Sequence, residues 1–586
     1  MIPIKKIQNW MKENNKDILL INRTDEFLSE YIAPYAERLN WISNFSGSAG
    51  RAIIEQDKAY LFVDGRYTYQ AQEQVNTSFY KIKYFKDYWS HLRNYKHEKK
   101  IIAYDGNLHS IDEIEKIYNI FYNTEILLEL LDKNPIDLNW KNQPSQPIAK
   151  AFFHEIRYAG ETSLNKIKKI QHHLQLTLID YYILSSLDSI AWLLNIRGND
   201  IKFTPLLCCY VIIPKKGKVE LFVDETKIKS FRRELEFLVN IHSFKNVNQY
   251  IKNLDSKKSV GMDKKETSFY FKKICSNNGL TINYLSNPCI YPKAIKNSFE
   301  LDGARRANLR DGVSISRFLY WLKKKIQIEE IDEIQAAVYL YNLRKKNELF
   351  YSLSFDTISA FGSNASYPHY RVTNKSNLSF KNNSIYLIDS GAQYKDGTTD
   401  ITRTIVFGKP SKEQKDRFTR VLKGHIAISE SKFNIDTKGS QLDPLARKYL
   451  NEIGCDYDHG TGHGIGSFLS VHEGPQRIAK SHDQSDGFIK EGMILSNEPG
   501  YYKEGQYGIR IENLIICCLT KSGKLYFENI SWAPIDRDLI NVSLLNETEI
   551  KWVNEYHQKV YDKISPNLIS EENKWLYLVT RPLQKG

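Results

Sequence analysis

The last third of the chain contains five residues of the types that bind metal ions, each in or beside an apolar stretch. They are Asp389, Asp400, His463, Glu498 and Glu512. A carboxylate taken out of water is costly unless it is paired or coordinated, so four converging carboxylates need cations between them. Oxygen ligands with a single nitrogen suit Mn²⁺ or a similar divalent ion, and the size of the set indicates two ions. The alternative is five isolated strand-end charges that face solvent.

Two neighbouring divalent ions would give the site hydrolytic chemistry. They can share a bridging hydroxide, because together they lower the pKa of water enough to make a nucleophile near neutral pH. Peptide hydrolysis is a natural use of this nucleophile. One ion would polarise the scissile carbonyl, a carboxylate ligand would take the proton of the water, and a neighbouring histidine would stabilise the tetrahedral oxyanion.

A predicted hairpin positions the first two carboxylates. Asp389 and Asp400 flank the dipeptide Asp396-Gly397, which is a strong hairpin-turn signal. A turn centred on that dipeptide would offset the two carboxylates along the ladder, so a longer loop or a bulge would be needed to place them opposite each other. The sequence leaves this register open.

Histidines and an arginine surround the same region. His459 and His463 lie in His-Gly-Thr-Gly-His-Gly-Ile-Gly, where the glycines disfavour a helix and favour close-packed backbone beside a site. A purely structural role stays open for His459 and for His472 individually. Arg510 and Glu512 alternate along a strand predicted at 508–519, so Arg510 could orient the Glu512 carboxylate. A surface ion pair is the alternative.

The first half of the chain contains an internal repeat. Three short sequence motifs recur in the same order: Ile-Lys-Lys-Ile-Gln at 4–8 and 167–171, Trp-x-x-Asn-x-x-Gly at 41–47 and 192–198, and Leu-Phe-Val-Asp at 61–64 and 221–224. Two copies of one α/β domain are therefore predicted, each opening with an amphipathic helix and an apolar strand. We expect domains at 1–155, 156–299 and 300–586, the last ending in a helical extension. Its apolar stripe, Ile550, Val553, Val560 and Ile564, is typical of core packing or a subunit contact.

Composition limits the other classes of function. The 586 residues carry a formal net charge of +13, but lysine is spread along the chain, which favours a composition bias over a nucleic-acid surface. No stretch reaches the roughly 18 apolar residues of a membrane span, and the N-terminus lacks the apolar core of a signal peptide. Seven cysteines without a CxxC pair are typical of buried thiols in a reducing compartment, so we expect a cytoplasmic protein.

Several motifs of the third domain carry a family resemblance. They lie at 354–358, 369–370, 388–394, 396–404, 459–466, 471–475, 497–502 and 510–513, and further matches at 31–34, 45–50 and 63–67 extend into the first domain. The chain resembles the pita-bread metallopeptidase family, most closely its long Xaa-Pro aminopeptidase (aminopeptidase P) branch. The resemblance implies an α/β (α+β) fold with two related creatinase-like N-terminal α/β domains followed by a pita-bread catalytic domain.

The resemblance also implies a role for each site residue. Asp389 would bind one metal, His463 and Glu498 the other, and Asp400 and Glu512 both. Glu498 would also accept the proton of the bridging water. The implied cofactors are two divalent ions per subunit, Mn²⁺ before Zn²⁺ or Co²⁺.

Four residues of the same motifs are implied to bind substrate. His369 and His472 match family histidines that contact the substrate or its tetrahedral intermediate, and His459 matches one on the proline side of the cleft. Arg66, in the first domain, would bind peptide, although a fold-stabilising role is an equal alternative.

The implied reaction is hydrolysis of the bond between an N-terminal residue and a penultimate proline by the metal-bridged hydroxide. That bond is a tertiary amide with a fixed φ, which suits a dedicated enzyme. Prolidase, which acts on Xaa-Pro dipeptides, is the first alternative, but it usually has one domain before the catalytic one. A non-catalytic peptide-binding module of the same fold would have lost its ligands. We expect peptide substrates, a homodimer, and neither nucleic acid nor membrane as partner.

Overall fold

The computed structural model describes residues 2–480 and 487–585. These residues separate into two units with dense internal contacts. One unit comprises the described residues up to His154 together with Glu161–Cys289. The other comprises Glu155–Gly160 and the described residues from Ile290 onward.

The first copy of the repeat forms a six-stranded sheet with helices around it. Its elements are α1 (Pro3–Glu13), β1 (Ile18–Asn22), α2 (Arg38–Ser43), β2 (Gly50–Glu55), β3 (Ala59–Val63), α3 (Thr68–Gln74), β4 (Tyr80–Tyr84), α4 (Tyr88–Arg93), β5 (Ile101–Tyr104), α5 (Ile111–Ile120), β6 (Leu127–Leu130) and α6 (Pro135–Asn139). The strand order is β4-β3-β2-β1-β5-β6. Strand β2 is antiparallel to both of its neighbours, and the other pairs are parallel.

The second copy repeats this arrangement. The next elements are β7 (Phe152–Phe153), α7 (Ile156–Ala159), α8 (Ser163–Leu176), β8 (Tyr181–Leu184), α9 (Leu187–Leu193), β9 (Ile196–Arg197), β10 (Cys209–Pro214), β11 (Val219–Val223), α10 (Glu225–Ile228), α11 (Arg232–Glu236), β12 (Val239–Ser243), α12 (Val247–Lys252), β13 (Ser259–Met262), α13 (Phe269–Asn277) and β14 (Thr281–Tyr284). The sheet order is β12-β11-β10-β8-β13-β14, with β10 antiparallel to both neighbours and the other pairs parallel. The predicted duplication is confirmed.

The repeated motifs contain residues that suit the local backbone conformation. Asn44 and Asn195 follow α2 and α9 with φ of 65° and 47°, a left-handed conformation that asparagine tolerates better than most residues. Asp64 and Asp224 end equivalent strands, and each carboxylate accepts the backbone N–H two residues later at 3.0 Å. These residues of the repeat therefore have local structural roles in both copies.

The second unit contains the remaining elements. They are α14 (Ile290–Ala294), α15 (Ser298–Lys325), α16 (Glu333–Lys345), β15 (Phe350–Leu353), β16 (Ile358–Phe361), β17 (Ser384–Ser390), β18 (Ala392–Tyr394), β19 (Gly397–Thr398), β20 (Ile401–Phe407), α17 (Lys412–Ser429), β21 (Lys432–Phe433), α18 (Gly439–Asn451), β22 (Gly462–Gly464), β23 (Glu473–Ile478), β24 (Ile494–Asn497), β25 (Gly500–Lys503), β26 (Tyr507–Arg510), β27 (Asn513–Leu519), β28 (Leu525–Asn529), α19 (Glu547–Ile564) and α20 (Ser570–Val579). The main sheets are β15-β18-β19, β16-β17-β20, β25-β26 and β21-β28-β27-β24-β22-β23. Every candidate metal ligand lies on or beside one of these sheets.

Helices α17 and α19 supply much of the apolar core behind these sheets. Val421 of α17 and Val553, Val560 and Ile564 of α19 are fully buried in one cluster with Ile509 of β26. The C-terminal stripe therefore packs in the core of its own unit, so of the two interpretations of its spacing, core packing is correct. Among the described residues, no helix combines the length and the apolar content needed to cross a bilayer.

A buried histidine in α19 makes the second unit sensitive to acid. Burial, followed by the charges of Arg537 and Arg403, lowers the pKa of His557 to about 3, and its Nε2 accepts the Ile535 backbone N–H at 3.1 Å. The folded state therefore binds fewer protons than the unfolded state between about pH 6.5 and 3, so stability should fall as pH falls through that window. Between pH 6.5 and 5 this residue should cost about 2 kcal/mol.

Thermal unfolding of wild type and His557→Gln at pH 7 and pH 5 checks this prediction. Glutamine can accept the same N–H but does not titrate. Acid should therefore lower the Tm of wild type more than that of the variant. Equal losses of Tm would contradict the prediction.

Candidate metal centre

The observed hairpin puts Asp389 and Asp400 on the same face of neighbouring strands. Asp389 pairs with Thr402, and Tyr394 pairs with Gly397, so the turn consists of Lys395 and Asp396. The two carboxylates are diagonal neighbours, because Asp400 precedes Thr402 by two positions. No bulge or longer loop is needed to bring them together, and this corrects the predicted requirement. Both residues are buried.

His463 points its free ring nitrogen at two of the carboxylates. Its Nε2 lies 3.5 Å from Asp400 Oδ2 and 3.4 Å from Glu498 Oε1. Its Nδ1 lies 3.0 Å from the carbonyl oxygen of Gly464. A carbonyl oxygen can only accept, so Nδ1 carries the proton and Nε2 keeps its lone pair for a metal.

The glycines beside His463 allow the backbone to pack closely, as predicted. A Cβ on Gly462 would lie 2.0 Å from the carbonyl oxygen of Ser496, a distance that real side chains do not tolerate. The backbone N–H of Glu498 also donates to the Thr461 carbonyl at 2.7 Å. Strand β22 is thus held against β24, and the imidazole of His463 is brought to the carboxylate of Glu498.

Glu512 enters the site from a break between two strands. Strand β26 ends at Arg510 and β27 begins at Asn513, and the two belong to different sheets. The single strand predicted at 508–519 is therefore wrong. Glu512 Oε2 accepts the Thr402 hydroxyl at 2.7 Å, and ligand atoms of Asp400, His463 and Glu512 lie within 4.8 Å of one another.

The electrostatics of the cluster fit a site for cations. Burial raises the pKa values of Asp400 and Glu512 well above their usual range, and the neighbouring carboxylates raise them further. Burial also raises the pKa of Glu498. One oxygen each of Asp389, Asp400 and Glu512 is buried without a hydrogen-bond partner among the described residues. Divalent ions would neutralise this charge and use these oxygens as ligands.

Arg510 is a buried partner of Asp389. Its Nη2 donates to Asp389 Oδ2 at 2.5 Å, and only 2% of the residue is exposed, which excludes the surface ion pair. Its Nε donates to the Thr402 hydroxyl at 3.2 Å, and that hydroxyl donates to Glu512. Arg510 therefore reaches Glu512 through Thr402, and its direct carboxylate partner is Asp389.

Two of the predicted histidines lie beside these ligands. The ring of His472 meets the ring of His463 edge-on, with centroids 4.4 Å apart. His459 Nε2 lies 2.8 Å from the hydroxyl of Tyr502, which also accepts from Arg510 Nη1 at 2.5 Å. A chain of hydrogen bonds therefore runs from Asp389 through Arg510 and Tyr502 to His459.

Comparisons with known proteins agree with this arrangement. A model of metallopeptidase family M24 matches residues 302–517, and a model of the C-terminal region of that family matches 523–583. Two models of the creatinase/prolidase N-terminal domain match 3–129 and 142–300. A probable Xaa-Pro aminopeptidase P of Coprinopsis cinerea is 36% identical over 98% of this chain and 97% of its own. The chain belongs to the M24 metallopeptidase family. It is a metal-dependent peptide hydrolase.

Other relatives match this chain either over nearly its whole length or over only part of it. Xaa-Pro aminopeptidase 1 of Dictyostelium discoideum is 35% identical over 99% of this chain and 96% of its own. The crystal structure of an X-prolyl aminopeptidase from Caenorhabditis elegans, described as a cytosolic enzyme with a di-nuclear active site, matches with a TM-score of 0.92 and 32% identity over 97% of this chain and 95% of its own. An Xaa-Pro dipeptidase from Bacillus anthracis, at 25% identity and a TM-score of 0.52, covers 99% of its own length but 64% of this chain.

The remaining predicted site residues of this M24 chain are His369 and Arg66. His369 lies in the loop after β16, and the start of that loop packs on β26, where a Cβ on Gly508 would lie 1.7 Å from the Ala365 carbonyl oxygen. Arg66 belongs to the first unit. Its Nε donates to Asp64 at 2.7 Å, and its guanidinium lies over the ring of Tyr67.

Tyr502 is a site residue that sequence reasoning missed. Burial raises its pKa to about 12, so its hydroxyl stays protonated near neutral pH. It accepts from Arg510 and can donate to His459. Its place in the motif at 497–502 was the only available signal, because hydrophobic periodicity carries no information about a single hydroxyl.

Proposed function

We propose that this M24 chain is an aminopeptidase that removes the first residue of peptides whose second residue is proline. The observation that carries the proposal is the convergence of Asp400, His463 and Glu512 within 4.8 Å in a chain that also has both N-terminal creatinase-like copies. The full-length similarity to Xaa-Pro aminopeptidases supports this substrate class. The dipeptidase relative covers only 64% of the chain, which disfavours prolidase activity.

Two divalent ions, Mn²⁺ in our proposal, would be held by the five ligands. Asp389 would bind one ion, His463 and Glu498 the other, and Asp400 and Glu512 both. Bound ions supply a water of lowered pKa and polarise the scissile carbonyl. Arg510 keeps one oxygen of Asp389 occupied by a hydrogen bond and leaves the other for coordination.

Glu498 is proposed to carry the proton during hydrolysis. The Ser496 hydroxyl donates a hydrogen bond to its Oε1 at 3.1 Å and so orients the carboxylate. The leaving group is the nitrogen of proline, which has no N–H in the peptide and must gain a proton to leave. Glu498 would take the proton from the attacking water and give it to that nitrogen.

The histidines are proposed to bind the substrate around this step. His472, beside His463, and His369 would donate hydrogen bonds to the carbonyl oxygen as it gains negative charge. His459, fixed by Tyr502, would line the proline side of the cleft. Arg66 is proposed to bind the peptide, although its recorded contacts with Asp64 and Tyr67 also suit a fold-stabilising role.

The wider assignments are proposals as well. We propose domains at 1–155, 156–299 and 300–586. The family models support the second boundary, since one ends at residue 300 and the next begins at 302, whereas the model of the second N-terminal domain begins earlier, at 142. A cytoplasmic location is supported by seven free cysteines and by the cytosolic relative from Caenorhabditis elegans. We also propose a homodimer. This proposal rests on the family resemblance alone, because the C-terminal apolar stripe packs within its own unit and so gives no support to a subunit contact.

Hydrolysis of three matched substrates by the Mn²⁺-loaded protein tests the proposed function. They are an Xaa-Pro dipeptide, the same sequence extended after proline, and the extended peptide with alanine in place of proline. The extended Xaa-Pro-peptide should have the highest kcat/KM, by at least about tenfold, which corresponds to about 1.4 kcal/mol of transition-state stabilisation. Removing the metal with a chelator should abolish the activity, and added Mn²⁺ should restore it. Preference for the dipeptide would indicate a prolidase, and binding without hydrolysis would indicate a peptide-binding module.

A further inference from the structure

The loop that carries His369 is organised around one buried carboxylate. Glu333, the first residue of α16, has no exposed surface. Its Oε1 accepts the backbone N–H of Phe361 at 2.6 Å and the amide of Asn364 at 3.0 Å. Its Oε2 accepts Asn364 at 3.1 Å, the hydroxyl of Tyr370 at 2.9 Å and the backbone N–H of Leu378 at 3.1 Å.

These donors lie at both ends and in the middle of the loop. Phe361 precedes it, Leu378 closes it, and Tyr370 is the sequence neighbour of His369. The Tyr370 hydroxyl also lies 3.0 Å from the Ser376 carbonyl oxygen, and its ring is buried with Leu387 of β17. Glu333 therefore holds the loop on both sides of His369.

The other face of the loop is fixed to the strand that ends at Arg510. The close approach of Gly508 to the Ala365 carbonyl leaves no room for a side chain between the loop and β26. Arg510, two residues further along β26, is hydrogen-bonded to Asp389. The loop thus has a defined position relative to a proposed metal ligand.

We propose that Glu333 is a positioning residue for His369. It does not touch the reacting atoms. It fixes the loop so that His369 lies where the developing oxyanion needs a donor. The inference rests on the proposed function, in which His369 contacts the substrate or its tetrahedral intermediate. Misplacing such a group by about 1 Å can cost about 100-fold in rate, so a carboxylate that sets the position of the loop should have a large kinetic effect.

Glu333→Gln tests the proposal, because glutamine keeps the size but places an NH₂ group where an oxygen now faces N–H and O–H donors. We expect kcat on an Xaa-Pro-peptide to fall about 10-fold to 100-fold, with a smaller change in KM and with bound metal unchanged. Glu330→Gln is the matched control, since Glu330 is exposed and lies just before α16. Its activity should equal that of wild type.

A double-mutant comparison separates positioning from general damage. In a His369→Ala background, Glu333→Gln should lower kcat less than about twofold, because the group that it positions is already absent. Tyr370→Phe provides a milder variant if Glu333→Gln folds poorly. It removes one hydroxyl, and it should lower kcat only when His369 is present.

Three results with the Glu333 and Tyr370 variants would overturn the proposal and leave the role of His369 in place. They are a loss of bound metal in Glu333→Gln, an equal loss of kcat in both backgrounds, and unchanged activity in both Glu333→Gln and Tyr370→Phe. Full activity of His369→Ala would refute the role of His369 and this inference with it, while aminopeptidase activity would stand. Wild type that does not hydrolyse the Xaa-Pro-peptide would instead refute the proposed function itself.

Discussion

Replacing Glu498 with alanine is expected to lower kcat on an Xaa-Pro-peptide by about 1,000-fold or more. The substitution removes a residue that is proposed both to carry the proton and to bind metal. The measurement is kcat at saturating Mn²⁺, together with the metal content of the purified variant.

Glu504→Ala is the matched control for this substitution. Glu504 is an exposed glutamate six positions further along the same segment, so its loss should leave kcat and metal content unchanged. Glu498→Ala with near wild-type kcat would refute both the assignment of the base and the ligand set. Lost activity with full metal content would keep the base assignment and remove Glu498 from the ligands.

Replacing Glu473 with glutamine is expected to cost about 3–5 kcal/mol of stability. Glu473 pairs with both Lys293 and Lys296, and each of the three residues is at most 4% exposed. Glutamine would remove the carboxylate that pairs with both buried ammonium groups. A loss of this size should lower the Tm of the second unit by about 10 °C. Glu473 also follows His472 in the sequence, and it lies on β23 opposite β22. The loss of stability would therefore loosen the strand that carries His463.

Lys296→Met should have a much smaller effect than Glu473→Gln. It keeps the Glu473 carboxylate paired with Lys293 and replaces the other buried ammonium group with an apolar side chain. Replacing a buried charge with an apolar group of similar size is often nearly neutral when the remaining charges stay paired. Glu491→Gln, at an exposed glutamate nearby in the chain, should leave the Tm unchanged. Equal Tm losses for Lys296→Met and Glu473→Gln would contradict this account of the cluster.

The proposed metal ligands could be predicted from the sequence because each lies in or beside an apolar stretch. A carboxylate that such a stretch carries into the interior needs a partner. Their register could not be predicted, because turns at 395–396 and at 396–397 both keep the apolar residues of the hairpin in place. The break at Ile511 and Glu512 was missed for a similar reason, since alternation continues on both sides of it.

Residues whose partners are close in the sequence could be predicted, whereas residues whose partners lie far along the chain could not. Asn44 and Asp64 recur in the second copy because nearby backbone requires them, and local requirements leave a sequence signal. Tyr502 and Glu333 act through partners far along the chain. Glu333, for example, accepts from Leu378 across 45 positions. A single sequence does not reveal such pairs, so neither residue was predicted to matter.

Arg510 is far along the chain from its partner Asp389, and this separation affects when the metal centre can form during synthesis. Asp389 and Arg510 are 121 positions apart, and Thr402 and Glu512 are 110 apart. The Asp389–Asp400 hairpin can leave the ribosome and fold long before its arginine and its last carboxylate exist. The complete set of proposed ligands therefore exists only after residue 512 has been translated, so the hairpin made earlier must fold without the finished metal centre.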